Sequence, residues 1–259
     1  MITSAHHPLA RRVADVLRTP PADQRTIVVD DLENIAQAVA CGIRPDAVYV
    51  ADTLDDVVLP PGASRATPVH RISARASTAL FGVDKRARVF ALAPRPAPAT
   101  LEDLLHRDGD VVVLDGVRLA GNIGAITRSA CALGAAGVVL LDSALASTMD
   151  RRLIRASRGL VFAVPVVLSA REDLAAFVRR HGITVVGLGA GASAPLRAIG
   201  AVRERVAIVV GSERAGLSAG VGSLAARTYA IPMDPRVESF NVSVATAIAL
   251  YERRCGNRR

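Results

Sequence analysis

The chain has 259 residues, enough for one or two domains with a sizeable core, and about half of them are apolar. Composition therefore excludes a disordered chain. A net charge of +8 favours a polyanionic partner, while 3% aromatic residues and no Trp leave little for a base-stacking platform. The longest apolar run, "LVFAVPVVL" at 160–168, is short and split by Pro165, so no membrane span is expected. The N-terminal "MITSAHHPLARR" lacks the apolar core of a signal peptide, which points to a cytoplasmic protein.

In chain order, "TIVVD" and "AVYVA" read as short strands and "DLENIAQAVACG" as a helix ending at Gly42. "FGVDKRARVF" gathers Lys85, Arg86 and Arg88 on one edge, as an RNA contact or a solvated turn, and "VFALA" follows as a strand. "ALAPRPAPAT" (91–100), with Pro94, Pro96 and Pro98 alternating, is the clearest linker. The expected division is a small α/β domain at 1–93, a Pro-rich linker at 94–100 and a larger domain at 101–259.

Beyond the linker, strands and helices alternate. "DVVVLD", "GVVLLD", "ITVVGL" and "RVAIVVG" are apolar strands. "NIGAITRSACALG", starting near Asn122 as a cap, "REDLAAFVRRHG" and "SFNVSVATAIALYERR" are helices. In the last of these, Val242, Val244, Ala245, Ile248 and Ala249 form the apolar side, and Arg253 and Arg254 stand at the C-terminal end. This order predicts an α/β fold with a mainly parallel sheet covered by helices on both faces. "DRRLIRASRG" spaces Arg151, Arg155 and Arg158 for one helix face beside Arg152, either a solvated stripe or a phosphate-binding one. Cys41, Cys131 and Cys255 are scattered, with neither a disulfide framework nor a metal site in prospect.

Ligands of open parallel sheets bind at the carboxyl ends of the strands. Three loops there stand out: Gly116–Arg128, "GSERAG" at 211–216, and "IPMDPRVESFNVS" at 231–243. The glycines at 116, 121 and 124 do not have the dinucleotide spacing, which disfavours a Rossmann dehydrogenase. Together the loops carry Asn122 and Arg128, then Gly211, Ser212 and Glu213, then Ser239, Asn241 and Ser243.

This set resembles the SpoU (TrmH) branch of the SPOUT RNA methyltransferases over residues 110–252. There an Asn is followed six residues later by an Arg, then come a strand ending in G-[SN]-E and an I-P-M loop leading into S-[LF]-N-[VA]-S. The Pro-rich linker and "DRRLIRASRGLVFAVPVVLSARE" are also similar to the thiostrepton- and nosiheptide-resistance methyltransferases. The resemblance implies S-adenosylmethionine-dependent 2′-O-methylation of an adenosine in 23S rRNA and thiopeptide resistance. Other readings are a SpoU enzyme acting on tRNA and a non-catalytic RNA-binding protein. It also implies a C-terminal trefoil knot, a homodimer and a ribosomal-protein-like N-terminal domain that helps hold RNA.

For the site, the resemblance implies Arg128 as the central catalytic residue, with Asn122, Glu213, Ser239, Asn241 and Arg158 beside it. Ser239 has two expected uses, bonding Arg128 or capping the last helix. The cofactor positions are Gly211, Ser212, Glu213, Ile231, Met233 and Phe240, with Leu188 as a wall residue. RNA falls to Lys85, Arg86, Arg88, Arg151, Arg155 and Arg158. A guanidinium keeps its proton far above neutral pH, which leaves two expected roles for Arg128: activating the hydroxyl with the help of an RNA phosphate, or only orienting it and steadying the developing charge.

Overall fold

A computed structural model describes residues 1–55, 57–60, 62–63, 66–82, 87–212 and 216–256. The chain forms two compact units, residues 1–97 with 149–163, and residues 98–148 with 164–259. The sequence boundary at the Pro-rich stretch separates most of them, but the 149–163 segment packs with the first unit. Among the described residues no helix is long and apolar enough to cross a membrane.

The first unit contains α1 (Pro8–Arg18), β1 (Thr26–Asp30), α2 (Leu32–Ala40), β2 (Ala47–Ala51), β3 (Val69–Ile72), α3 (Ala74–Phe81) and β4 (Val89–Pro94). Its four-stranded sheet has the order β1-β4-β2-β3. β4 runs antiparallel to both β1 and β2, and β2 runs parallel to β3. Tyr49 and Phe90 stack at 4.8 Å in a core closed by Ala10 and Val13 of α1 and by Ala76 and Phe81 of α3. The sequence reading missed α1, β3 and α3. The strand expected at "VFALA" is β4, which runs one residue further than the 93/94 boundary, so that Pro94 pairs with Thr26 instead of opening the linker.

The second unit begins with β5 (Val111–Asp115), α4 (Ala120–Leu133) and β6 (Gly137–Leu141). The chain then contributes α5 (Arg151–Ala156) to the first unit. It returns with β7 (Val166–Ser169), α6 (Arg171–Arg180), β8 (Thr184–Leu188), β9 (Ala194–Pro195), β10 (Val206–Gly211), α7 (Ala219–Gly222), β11 (Arg227–Ala230) and α8 (Val242–Gly256). The seven strands are all parallel, in the order β7-β6-β5-β10-β8-β11-β9. β5 and β6 are buried at every position, as their unbroken apolar runs predict.

Alternate residues serve opposite faces of this sheet. Val111, Val113, Val139, Ala207 and Val209 join Leu174, Phe177 and Val178 of α6 in one core. α4 and α8 pack on each other and reach β6 and β10 respectively, with Ile123, Ile126, Ala249 and Leu250 buried. The buried residues of α8 are Val242, Thr246, Ala249, Leu250 and Arg253, whereas Val244 is exposed, which rotates the helix from the face read off the sequence.

Register fixes where the loops begin. Asp115 pairs with Gly211, Val210 with Leu188, and Leu188 with Tyr229. Four adjacent strands, β5, β10, β8 and β11, therefore end level with one another. The sheet reverses its winding between β5 and β10, and such a switch point opens a crevice at the carboxyl edge.

At the other end of α8, Arg253 is not a solvent-facing partner of the helix dipole. It is buried, and its Nε and Nη2 donate to the two carboxylate oxygens of Asp110 at 2.7 and 2.8 Å. It also donates to the carbonyls of Ile199, Val202 and Glu204, while Asp110 accepts the Val206 N–H. This cluster joins α8 to the starts of β5 and β10. Removing the guanidinium strands a buried carboxylate, and losing one member of a buried pair costs about 3–5 kcal/mol. Arg253→Met should lower unfolding free energy by that amount in urea titrations. A loss under about 1 kcal/mol, the scale of an exposed pair, would show the cluster to be dispensable.

Candidate functional site

The loops after β8, β10 and β11 enclose a cavity of about 200 Å³. Leu188, Gly189 and Ala190 line it from the first loop, and Val210, Gly211, Ser212 and Gly216 from the second. Ile231, Met233, Ser239 and Phe240 come from the third, with Tyr229 below and Val242 and Ala245 of α8 alongside. The walls are apolar and the polar groups are serine hydroxyls and glycine backbone. No charged side chain lies among its described lining residues. Such a slot suits a neutral planar group between aliphatic side chains, with orientation set by main-chain bonds.

Gly211 is required by close packing. A Cβ there would sit 2.1 Å from the carbonyl carbon and oxygen of Gly216. The Gly216 N–H donates to Ser212 O at 2.9 Å, and Gly216 has φ +63°. Gly216 thus lies against the end of β10, an approach that only glycine at 211 permits.

The first motif meets the third directly. Asn241 precedes α8 and caps it: its carbonyl accepts the Ala245 N–H, and its Oδ1 accepts the Ser243 N–H at 2.9 Å and the Ser243 hydroxyl at 2.6 Å. Its Nδ2 donates to Asn122 Oδ1 at 3.3 Å. Asn122 is therefore not the cap of α4. That helix starts two residues earlier, at Ala120, behind Leu119, and Asn122 sits in its first turn. Nor is Ser239 the cap of α8; it lines the cavity.

Beside the cavity lies an open cleft of about 680 Å³, lined by Asp115–Leu119, Asn122, Asp142, Arg171 and Ser218. Ser212, Gly216 and Val242 belong to both. Asp115, buried at the end of β5, organises its floor. One carboxylate oxygen accepts Arg171 Nη2 at 2.8 Å and Nε at 3.2 Å, and the other accepts the Ser218 N–H at 2.7 Å. Burial pushes this carboxyl up, but the bonds from Ser218 and the Arg171 guanidinium outweigh it and hold the group below the ordinary carboxylate value. Sequence reasoning passed over Asp115; an acidic residue ending an otherwise apolar buried strand was the available signal.

The other expected site residues fall elsewhere. Arg128 is exposed on α4 and does not line the cavity. Arg158 lies beyond the end of α5, so it does not share a helix face with Arg151 and Arg155; it has φ +52° and pairs with Glu33 at 3.5 Å within the first unit. Arg151 and Arg155 pair with Asp30 in that unit, and Arg88 is exposed there. Glu213, Lys85 and Arg86 lie outside the described residues.

Comparison with known proteins accounts for both units. Residues 1–107 match the family described as "Thiostrepton-resistance methylase, N terminus", and residues 110–251 match the "SpoU rRNA Methylase family". The chain is 39% identical to the 23S rRNA (adenosine(1067)-2′-O)-methyltransferase of Streptomyces laurentii, over 98% of the chain and 94% of that relative. The enzyme of the same name from Streptomyces azureus is also 39% identical, over 97% and 94%. Among solved structures, an RNA 2′-O ribose methyltransferase superposes with a TM-score of 0.79 at 26% identity, covering 99% of this chain and 98% of its own. The SpoU methyltransferase AviRb from Streptomyces viridochromogenes, in complex with the cofactor AdoMet, shares the fold with a TM-score of 0.78, covering 95% and 96% at 24% identity.

The Asp115 linkage has a defined pH signature. Its folded-state pKa is depressed, so its contribution is fully present above the ordinary value of about 4 and is lost as pH falls through the lower folded value. Asp115→Asn should be less stable than wild type at pH 7, with the difference shrinking on acidification below about pH 4. Urea midpoints of both proteins from pH 7 to pH 3 measure this. A gap that stays constant across that range contradicts it.

Proposed function

The chain belongs to the SpoU rRNA methylase family, and on that premise we propose that it methylates the ribose 2′-hydroxyl of an adenosine in 23S rRNA, with S-adenosylmethionine as donor, and so confers resistance to thiopeptide antibiotics. The observation that carries the chemistry is that the described residues of the second and third motifs line one apolar, uncharged slot, while Asn241 of the third motif bonds Asn122 of the first. The adenosine of 23S rRNA follows from likeness along nearly the whole chain, the first unit included.

The residues present fit such a donor. Leu188, Ile231 and Phe240 would flank its adenine, and the backbone around Gly211, Ser212 and Met233 would hold its ribose and methionine parts. When bound, the donor supplies a methyl group activated on a sulfonium centre. The work of the protein is then to hold the acceptor in line and to manage the hydroxyl proton. Arg128 orients the 2′-hydroxyl and steadies the charge that develops on its oxygen. Asn122 and Asn241 hold the two loops between which donor and acceptor meet. Glu213 pairs with Arg128 or with the methionine ammonium group, and Ser239 bonds from the cavity wall. Arg155 and Arg158, with Lys85, Arg86 and Arg88, hold the RNA.

On the same reading the enzyme is cytoplasmic, where its substrate is found, and acts as a homodimer with a C-terminal segment threaded into a knot. Support for the dimer comes from exposed apolar side chains on the paired helices. Val244 and Tyr251 lie seven residues apart, on one face of α8, and Leu119 stands at the start of α4.

Methyl transfer from labelled S-adenosylmethionine to a 23S rRNA fragment, with bulk tRNA as the control and the modified nucleotide mapped, tests the function. Label should enter one adenosine ribose of the 23S fragment. Arg128→Ala should reduce transfer by about 10²–10³-fold and leave cofactor binding in place. Absence of label from both RNAs would falsify the reading, and an active Arg128→Ala enzyme would remove Arg128 from the centre of it.

A further inference from the structure

Residues 149–163 interrupt the parallel sheet between β6 and β7, yet they fold as part of the first unit. Asp30 is the charged partner of this segment in the first unit. It ends β1, is completely buried, and lies 121 residues from its partner. Its Oδ2 accepts Arg151 Nε at 2.7 Å and lies 3.6 Å from Arg155 Nε. The Arg151 guanidinium also sits 4.3 Å from the centre of the Phe81 ring. Beyond α5, Gly159 takes φ +74° and presses on α2 so closely that a Cβ would lie 2.8 Å from Gln37 Cβ and 3.0 Å from Asn34 Cα. The Asn34 side chain in turn donates to Asp30 O at 2.6 Å.

The four arginines of this segment are not equivalent. Arg151 is mostly covered, its side chain 21% exposed, and is committed to Asp30 and Phe81. Arg152 is held on Asp150 through Nε at 3.0 Å and Nη2 at 2.8 Å. Among the described residues, Arg155 and Arg158 make only long ion-pair contacts, 3.6 Å to Asp30 and 3.5 Å to Glu33, and are about half exposed. Their guanidinium N–H groups are oriented by a carboxylate without being used up by it. That arrangement suits a backbone phosphate, which takes two N–H groups of one guanidinium at once.

We propose that Asp30 is a positioning residue for RNA recognition, a buried carboxylate of the N-terminal unit that shapes the 151–158 segment so that Arg155 and Arg158 meet RNA phosphates while Arg151 serves as their internal anchor. The assignment rests on the reading of RNA as substrate. It divides the four arginines into two held by carboxylates, Arg151 on Asp30 and Arg152 on Asp150, and two that face phosphate, Arg155 and Arg158.

The test uses the full chain and a 23S rRNA fragment, with binding read by anisotropy across a salt series, transfer read by label, and cofactor affinity read by calorimetry. Asp30→Asn should weaken RNA binding about tenfold and lower the slope of log K against log salt by about one to two, at roughly 0.7–0.9 per lost phosphate contact, with cofactor affinity unchanged. Asp30→Glu, which keeps the charge, should recover most of the binding. Arg155→Gln should lower the salt slope by about one in a fully folded protein, which covers the case of an Asp30→Asn chain that does not fold. Wild-type salt slopes in Asp30→Asn or in Arg155→Gln overturn the proposal. If the wild-type protein binds RNA but transfers no methyl group, the proposed function fails while the binding series still decides this point.

Discussion

The side-chain amide of Asn241 is used at both ends. Its oxygen caps α8 through Ser243, and its nitrogen donates to Asn122, 119 residues earlier, in the first turn of α4. A helix cap and a neutral hydrogen bond each contribute only about 1 kcal/mol, so this bridge does not hold the fold together. What it selects is where two helices begin relative to each other. The larger forces have by then brought them close: buried parallel strands whose carboxyl ends are level, and α4 packed on α8. Remove the bridge and the cavity wall made by Ser239, Phe240 and Val242 loses its fixed relation to the loop after β5.

The last helix is also held at its far end. Arg253 inserts into a cage formed by Asp110 and three carbonyls, and Asp110 binds the start of β10 as well. Asp115, at the opposite end of β5, performs the matching task at the carboxyl edge, joining α6 through Arg171 to the loop that follows β10. A single strand thus carries one buried carboxylate at or beside each end. The one before β5 positions α8, and the one at its carboxyl end positions the floor of the cleft beside the cavity. Function and stability meet on β5, because the side chains between these carboxylates are the centre of the core.

Much of this was legible in the chain. Apolar runs such as "VVVLD" and "VAIVVG" mark buried parallel strands with little ambiguity, and loops after such strands are where ligands belong. Every expected cofactor position among the described residues, Leu188, Gly211, Ser212, Ile231, Met233 and Phe240, lines the same cavity; the roles given to them are the proposal. The losses have physical causes. α1 is capped by the His7 ring, not by one of the usual short polar caps, although Leu9, Val13, Val16 and Leu17 carried the helical period. β7 was hidden in "LVFAVPVVL", where a short helical turn, Pro165 and a strand share one apolar run. Arg253 and Arg151 read as surface charges because the carboxylates that bury them are far away in sequence. Arg158 was placed on a helix face by counting, but Gly159 and its contact with α2 end the helix before it.

The central claim is that the loops after β10 and β11, with the end of β8, wall one cofactor cavity, and that the loop after β5 is tied to that wall through Asn122 and Asn241. Hydrogen–deuterium exchange with and without S-adenosylhomocysteine tests this most directly. The account predicts that amides at 211–217, 231–242 and the first turn of α4 gain protection together, and that Asn241→Ala uncouples the α4 turn from the other two segments. Protection confined to one of these loops, or appearing only in the first unit, would contradict it.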